Sequence, residues 1–533
     1  MTAAMLHTIV LATDLAGEAI EAKLAQFLLV ICVSLSVATL SRTLSWFRQI
    51  PYTLLLVIVG LGLAILNVRI VTLSPELILL IFLPPLLFEA GWNLEWSKLR
   101  QNFAPIGLYA IVGVVISVTG IAFGLQAFAG LSLGTALLIG ASLSATDPVS
   151  VIALFRELGV SKRLTVLMEG ESLFNDGVAV VAFTLLLEVS LGSDDLTVPV
   201  AIARFLAFVG IGTGIGALVG FGISFLTQRF NLPTVEQSLT LIAAYGTYII
   251  AEDLGGSGVI SVVTVGLILG NFGSRIGMNP RTRLIVSEFW EFIAFFVNSI
   301  VFLLIGDQIR FESLGENIVL IGIAIATVIL TRAIGIYGLG SISNWLVEAQ
   351  VSWRERTVLW WGGLRGSVSV ALALSVPETL AERETIIAVV FGVMLFTLLV
   401  QGMTTKPLLE TLNLLGDEPL RQKYLEAIAR RVALNRVLDH LKAVANRREI
   451  EPDYYDYQSA LVQGQLGSVR DEINDLQAKY PQFRELVTNQ LREEMLAIES
   501  DTYAEFIRAG RLKESLSPML EEVLVGGSDR DEA

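Results

Sequence analysis

The sequence predicts an all-α, polytopic membrane protein of about thirteen transmembrane helices, arranged as inverted repeats with two broken helices and followed by a helical C-terminal domain. Three observations carry that reading. Hydrophobic residues make up 53% of the 533-residue chain and charged ones only 17%, and the apolar residues collect in runs long enough to cross roughly 30 Å of hydrocarbon. Two of these runs, one in each half of the chain, are interrupted by proline or paired glycine, the sequence mark of an inverted-repeat transporter with its site at the midplane. From Asp417 onward the composition becomes soluble and strongly charged.

Residues 1–23 lack the basic start and small-residue cleavage site of a signal peptide, and Asp14, Glu18 and Glu21 make them acidic, so they read as a short external lead. A transmembrane domain follows over 24–411, with spans expected at about 24–42, 52–68, 74–92, 104–128, 132–155, 165–190, 200–227, 237–252, 257–272, 287–306, 317–345, 356–376 and 384–411. Alternate loops divide the basic residues unevenly. One set holds Arg42, Arg48, Lys98, Arg100, Arg156, Lys162, Arg163, Arg229, Arg275, Arg281, Arg283, Arg354 and Arg356; the other holds Lys23, Arg69, Arg204, Arg310 and Arg383. By the positive-inside rule the first set is cytoplasmic, with the N-terminus outside and the C-terminus inside. The tail, 417–533, is then a cytoplasmic helical domain whose apolar positions, as at Leu434, Val437, Leu438 and Leu441, recur at helical spacing. It reads either as a regulatory or dimer-contact element or as an appended domain with no sensing role, and any regulator it binds is unknown.

Polar residues inside the spans point to the site, because a carboxylate in hydrocarbon is costly and by default functional. Thr146-Asp147-Pro148 interrupts the fifth span: proline removes a donor and disfavours helix in the residue before it, freeing backbone groups near Asp147. Gly362-Gly363-Leu364-Arg365-Gly366 interrupts the twelfth, an odd number of spans later, as inverted repeats require. On the sixth span Ser172 and Asp176 share a face, with Glu171 and Asn175 in the neighbouring column. A hydroxyl, a carboxylate and the carbonyls freed near Thr146 are hard oxygen ligands suited to an alkali cation. Glu171 needs a buried partner, and Arg365 lies at a comparable depth, so the two are expected to pair. Glu89 on the third span is either an interfacial residue or part of the site or its access path; Asn298 and Arg332 are expected to make ordinary interhelical hydrogen bonds.

Other function classes lack their equipment. The net charge of −14 and the absence of a basic stripe leave no nucleic-acid partner. A lone cysteine, Cys32, excludes an intrachain disulfide, and the two histidines, His7 and His440, fall outside the spans, so proton transfer falls to carboxylates and no nucleophile-base pair for an enzyme is evident. No carbonyl-ring filter motif supports a cation channel.

The motifs Phe82 to Glu89, Ala145-Thr146-Asp147-Pro148, Glu169 to Gly177, Phe296-Val297-Asn298 with Phe302 to Gly306, and Gly362 to Ser369, in this order over about residues 25–410, resemble the monovalent cation:proton antiporters, in the branch of prokaryotic NhaP-type and animal sodium/proton exchangers. The resemblance implies a homodimer in which a six-helix core holding two crossed, broken helices moves against a dimerisation domain in elevator fashion. It implies that Asp176 binds cation and proton alternately, that Ser172 and the Thr146 carbonyl complete a Na⁺ shell, that Asp147 and Asn175 belong to the same polar site, that Glu89 lies in the funnel, and that Glu171 and Arg365 form a structural ion pair. The Asn175-Asp176 pair, in place of two adjacent aspartates, implies electroneutral exchange of one Na⁺ or Li⁺ for one proton, with no cofactor besides the transported ions. Sodium extrusion and cytoplasmic pH homeostasis, and hence salt tolerance, follow as the expected roles, in a prokaryotic plasma membrane with lipids as its surroundings. K⁺/H⁺ exchange is the alternative, since both ions take the same ligand types.

Overall fold

A computed structural model describes residues 24–41, 43, 51–66, 73–192, 197–229, 232–346, 350–415, 418–444, 452–480, 483, 495, 496, 498, 499, 502, 503 and 506. The expected external lead, 1–23, lies outside the described residues. All regular structure in them is helical, and the chain divides into a membrane unit ending at Leu414 and a second unit in the tail.

The membrane unit runs α1 (Leu24–Ser41), α2 (Tyr52–Ile65), α3 (Leu77–Asn93), α4 (Phe103–Ala129), α5 (Leu133–Ser142), α6 (Val149–Glu157), α7 (Lys162–Ser190), α8 (Val198–Thr227), α9 (Pro233–Asp253), α10 (Gly258–Ser274), α11 (Pro280–Asp307), α12 (Ile318–Leu346), α13 (Trp353–Trp361), α14 (Ser367–Leu374) and α15 (Arg383–Thr411). Seven of these, α1, α4, α7, α8, α11, α12 and α15, are long and apolar enough to cross a bilayer alone. The others occupy the remaining expected stretches, with α5 and α6 as halves of one and α13 and α14 as halves of another. Side chains start several of them by accepting orphan backbone N–H groups: Ser132 caps α5, Ser161 caps α7, Asn279 caps α11, and Ser352 with Glu355 forms a capping box on α13.

Packing sorts these helices into two groups. In one, α4 packs on α12 and α5, α5 on α7, and α12 on α13 and α15. In the other, α2 packs on α11, α3 on α10 and α11, and α8 on α10. Small residues allow the closest approaches, as is usual where lipid gives helices no hydrophobic reason to associate. A Cβ on Gly60 of α2 would collide with the α11 backbone from Leu303 to Asp307, and one on Gly91 of α3 would meet the α10 backbone from Val263 to Leu267. These two crossings share one register, Gly60 against Gly306 and Gly266 against Gly91, as two copies of one inverted unit require. The groups meet where α3, α10 and α11 of the second face α7 and α14 of the first.

In the tail unit α16 (Glu418–Val444) packs on α17 (Pro452–Lys479). Its core is Tyr424, Ala427, Ile473, Leu476 and Phe483, with the Tyr424 and Phe483 rings stacked 4.9 Å apart. The stripe expected to pack lies farther along α16, and there Val437 is exposed and Leu434, Leu438 and Leu441 are only half-buried. The residues of α16 that meet α17 lie nearer its start, at Tyr424 and Ala427, because helical spacing marks a face of a helix and not the stretch of that face that finds a partner.

Candidate cation-binding site

The two breaks lie against each other. Between α5 and α6 the residues 145–148 are non-helical, as are 363–366 between α13 and α14, and the Asp147 N–H donates to the Leu364 carbonyl across the crossing at 2.8 Å. Backbone groups freed at membrane depth must find partners inside the protein. The Ala145 carbonyl accepts from Arg365 Nη1 at 3.2 Å and from the Ser369 hydroxyl at 3.3 Å, which places a cation at the carbonyl end of α5. Asp147 serves the opposite polarity: its carboxylate accepts from the Val149 N–H at 3.0 Å and from the Ser367 N–H, at the first turns of α6 and α14. Gly366 is obligatory beside it, since a Cβ there would overlap the Asp147 side chain.

From α7, Asn175 grips Thr146 twice, accepting from its N–H at 3.2 Å and donating to its hydroxyl at 2.6 Å. The Ser172 hydroxyl donates to the Thr146 carbonyl, so the lone pairs of Ser172 Oγ are left for another ligand. Asp176, one turn on, is buried with an Oδ1 that has no hydrogen-bond partner among the described residues. Thr146, Ser172 and Asp176 line one cavity of about 270 Å³ at the meeting of the two helix groups. Asp147 lines it too, and Glu89 lies farther out, accepting from Asn93 Nδ2 at 2.5 Å.

The expected pairing of Glu171 with Arg365 is corrected. Glu171 is held instead by Arg332 of α12 in a bidentate pair, Nη1 to Oε1 at 2.9 Å and Nη2 to Oε2 at 3.1 Å. The Arg332 Nε and the second Nη2 hydrogen are taken by the Trp360 and Leu359 carbonyls at the end of α13. Arg332 was expected to make only an ordinary interhelical hydrogen bond. Arg365 is drawn elsewhere by the Ala145 carbonyl, an acceptor that exists only because α5 is broken.

Sequence reasoning also passed over Glu291, Glu169 and Arg156, all of which line the cavity, with Arg156 and Glu169 paired at 3.4 Å. For Glu291 the signal was there: Glu291, Ala294 and Asn298 share one face of α11, and all three line the cavity.

Comparison with known proteins follows the same line. Residues 30–411 match the family model described as "Sodium/hydrogen exchanger, transmembrane". The chain is 63% identical over 508 residues to the Na(+)/H(+) antiporter ApNhaP of Aphanothece halophytica, covering 95% of this chain and 98% of that protein. It is 57% identical over 505 residues to the low-affinity Na(+)/H(+) antiporter NhaS1 of Synechocystis sp., covering 94% and 96%. Among solved structures, the sodium proton antiporter MjNhaP1 of Methanocaldococcus jannaschii at pH 8 superposes with a TM-score of 0.60 at 18% identity over 73% of this chain and 98% of that one, a likeness of fold. The chain belongs to the transmembrane sodium/hydrogen exchanger family.

Proposed function

We propose that this chain exchanges Na⁺, and Li⁺ in its place, for protons, with Asp176 carrying either the cation or the proton. The observation that carries the proposal is the buried, unpartnered Asp176 Oδ1 at a cavity wall it shares with Ser172 and Thr146. The Asp176 carboxylate, with oxygens of Ser172 and Thr146, forms the hard-ligand set a dehydrated alkali cation takes. The two relatives at 63% and 57% identity, both named Na(+)/H(+) antiporters, support Na⁺ as that cation.

Coupling follows from occupancy. An empty, ionised Asp176 cannot be carried through hydrocarbon cheaply, so the carboxylate moves only when Na⁺ or H⁺ neutralises it. One neutralising charge in each direction makes the exchange electroneutral. The cavity lies between the two helix groups, which favours an elevator movement of the group holding the broken helices against the group holding α3 and α11. Arg156, which lines the cavity and is largely exposed, belongs to the loop set richer in basic residues, so this conformation is read as open to the cytoplasm. Thirteen crossings, a homodimer and roles in sodium extrusion and cytoplasmic pH homeostasis complete the proposal.

Competition for one carboxylate has a kinetic signature. In proteoliposomes at fixed internal pH, the Na⁺ concentration for half-maximal exchange should rise about tenfold per unit of falling pH on the acid limb and level off on the alkaline limb, while the maximal rate at saturating Na⁺ stays constant. A maximal rate that falls with pH at saturating Na⁺ would contradict competition, because the proton and the cation would then occupy different groups.

A further inference from the structure

Behind the ion site, on the far side of Asn175 from the large cavity, lies a second, far smaller one of about 10 Å³. Its walls come from three helices and the turn that ends α5: Tyr109 and Gly113 of α4, Glu171 and Asn175 of α7, Arg332 and Gly335 of α12, and Ser144. Three features define what it takes. Its volume matches one water. Its polar walls are unlike those of a dry packing defect. The Tyr109 hydroxyl, on a residue 2% exposed, has no hydrogen-bond partner among the described residues, and a buried hydroxyl without a partner is costly.

Donors and acceptors can be counted. Asn175 Nδ2 carries two hydrogens and gives one to Thr146 Oγ1, which leaves the other. Arg332 Nη1 likewise has two and gives one to Glu171 Oε1, an oxygen that retains a lone pair. Asn175 and Arg332 thus offer one donor each, and Glu171 and Tyr109 one acceptor each, four partners at the upper end of what a buried water takes. A cation is excluded, since the Arg332 guanidinium forms part of the wall.

We propose that this cavity binds one structural water that joins the Glu171–Arg332 pair and Tyr109 to Asn175, making Tyr109 a positioning residue for the Thr146 and Ser172 side of the ion site. The site is tunable because Asn175 holds both the N–H and the hydroxyl of Thr146, and its amide plane is held from behind by this water. The functional arm of the proposal rests on the exchange reading above; the water itself does not.

Two variants act on the water in opposite ways. Tyr109→Phe removes one partner and keeps the space. Gly335→Ala keeps every partner and narrows the space from the α12 wall, its new Cβ meeting only the Gly113 Cα, at 4.0 Å, so it crowds the water without a clash. The experiment pairs a high-resolution structure of the full-length wild type with Na⁺ titrations of exchange for wild type, both single variants and the double variant. The expected result is density within hydrogen-bond distance of Tyr109 Oη and Asn175 Nδ2. Each single variant should raise the half-saturating Na⁺ about three- to tenfold with the maximal rate kept. The double variant should be no worse than Gly335→Ala, since a water already displaced cannot be lost again. A well-resolved cavity without that density overturns the proposal, as do additive shifts or shifts confined to the maximal rate. Wild type without Na⁺-dependent exchange would sink the exchange reading instead, and the density would still decide the water.

Discussion

Gly366 has room for a hydrogen and nothing larger, because the Asp147 side chain fills the place a Cβ would take. Gly366→Ala must push Asp147 off the first turns of α6 and α14, and displacements of that order at a reacting centre cost about a hundredfold in rate. A fall of that size in Na⁺-driven proton flux, at unchanged membrane insertion, is the expected outcome in proteoliposomes. Glu171 and Arg332 are a different kind of residue pair, outside the wall of the large cavity and fastening α7 to α12 and the end of α13. Removing one member, as in Glu171→Gln, should lower stability by about 3–5 kcal/mol, read as a drop in the detergent-solubilised unfolding midpoint, because it strands a buried charge. Arg365→Gln, which leaves that pair intact, should cost less. The sequence made the need for a partner to Glu171 legible, and its depth in the membrane. It did not identify the arginine, because apolar runs show depth but not which way a helix face turns, and because the Ala145 carbonyl that occupies Arg365 exists only in the folded crossing.

At the scale of elements, the breaks themselves were fully local and therefore readable: Pro148 forbids continuous helix before it, and Gly362-Gly363 weakens the twelfth span. What the chain pattern could not show was the Asp147 to Leu364 hydrogen bond that lays one break on the other, since that joins residues more than two hundred positions apart. The glycine crossings were likewise hidden, because glycines scattered through apolar helices do not announce their partners. They make a clean test. Gly306→Ala drives a methyl into the α2 backbone and should destabilise by about 1–3 kcal/mol. Gly62→Ala, with open space around its Cβ position, should be neutral or slightly stabilising by the same midpoint measurement. In the tail, the stripe along α16 was visible in sequence, but the packed end was not, because the burial sits where Phe483 and α17 return to Tyr424.

For the whole molecule, the two helix groups place each kind of residue where the proposed exchange needs it. The group with α5, α6, α7 and α14 carries Thr146, Asp147, Ser172 and Asp176, and the group with α3 and α11 supplies Glu89, Glu291 and Asn298 on the opposite wall. The proposed exchange turns on a carboxylate buried at that boundary, Asp176, neutralised in turn by Na⁺ and by H⁺. The most direct measurement is proton flux in proteoliposomes of the purified protein on addition of Na⁺, Li⁺ or K⁺, for wild type beside Asp176→Asn, with the membrane potential free or clamped. Flux with Na⁺ and Li⁺ should disappear in the variant and be unchanged by the potential. Flux that survives Asp176→Asn, or that follows the potential, would contradict the proposed exchange.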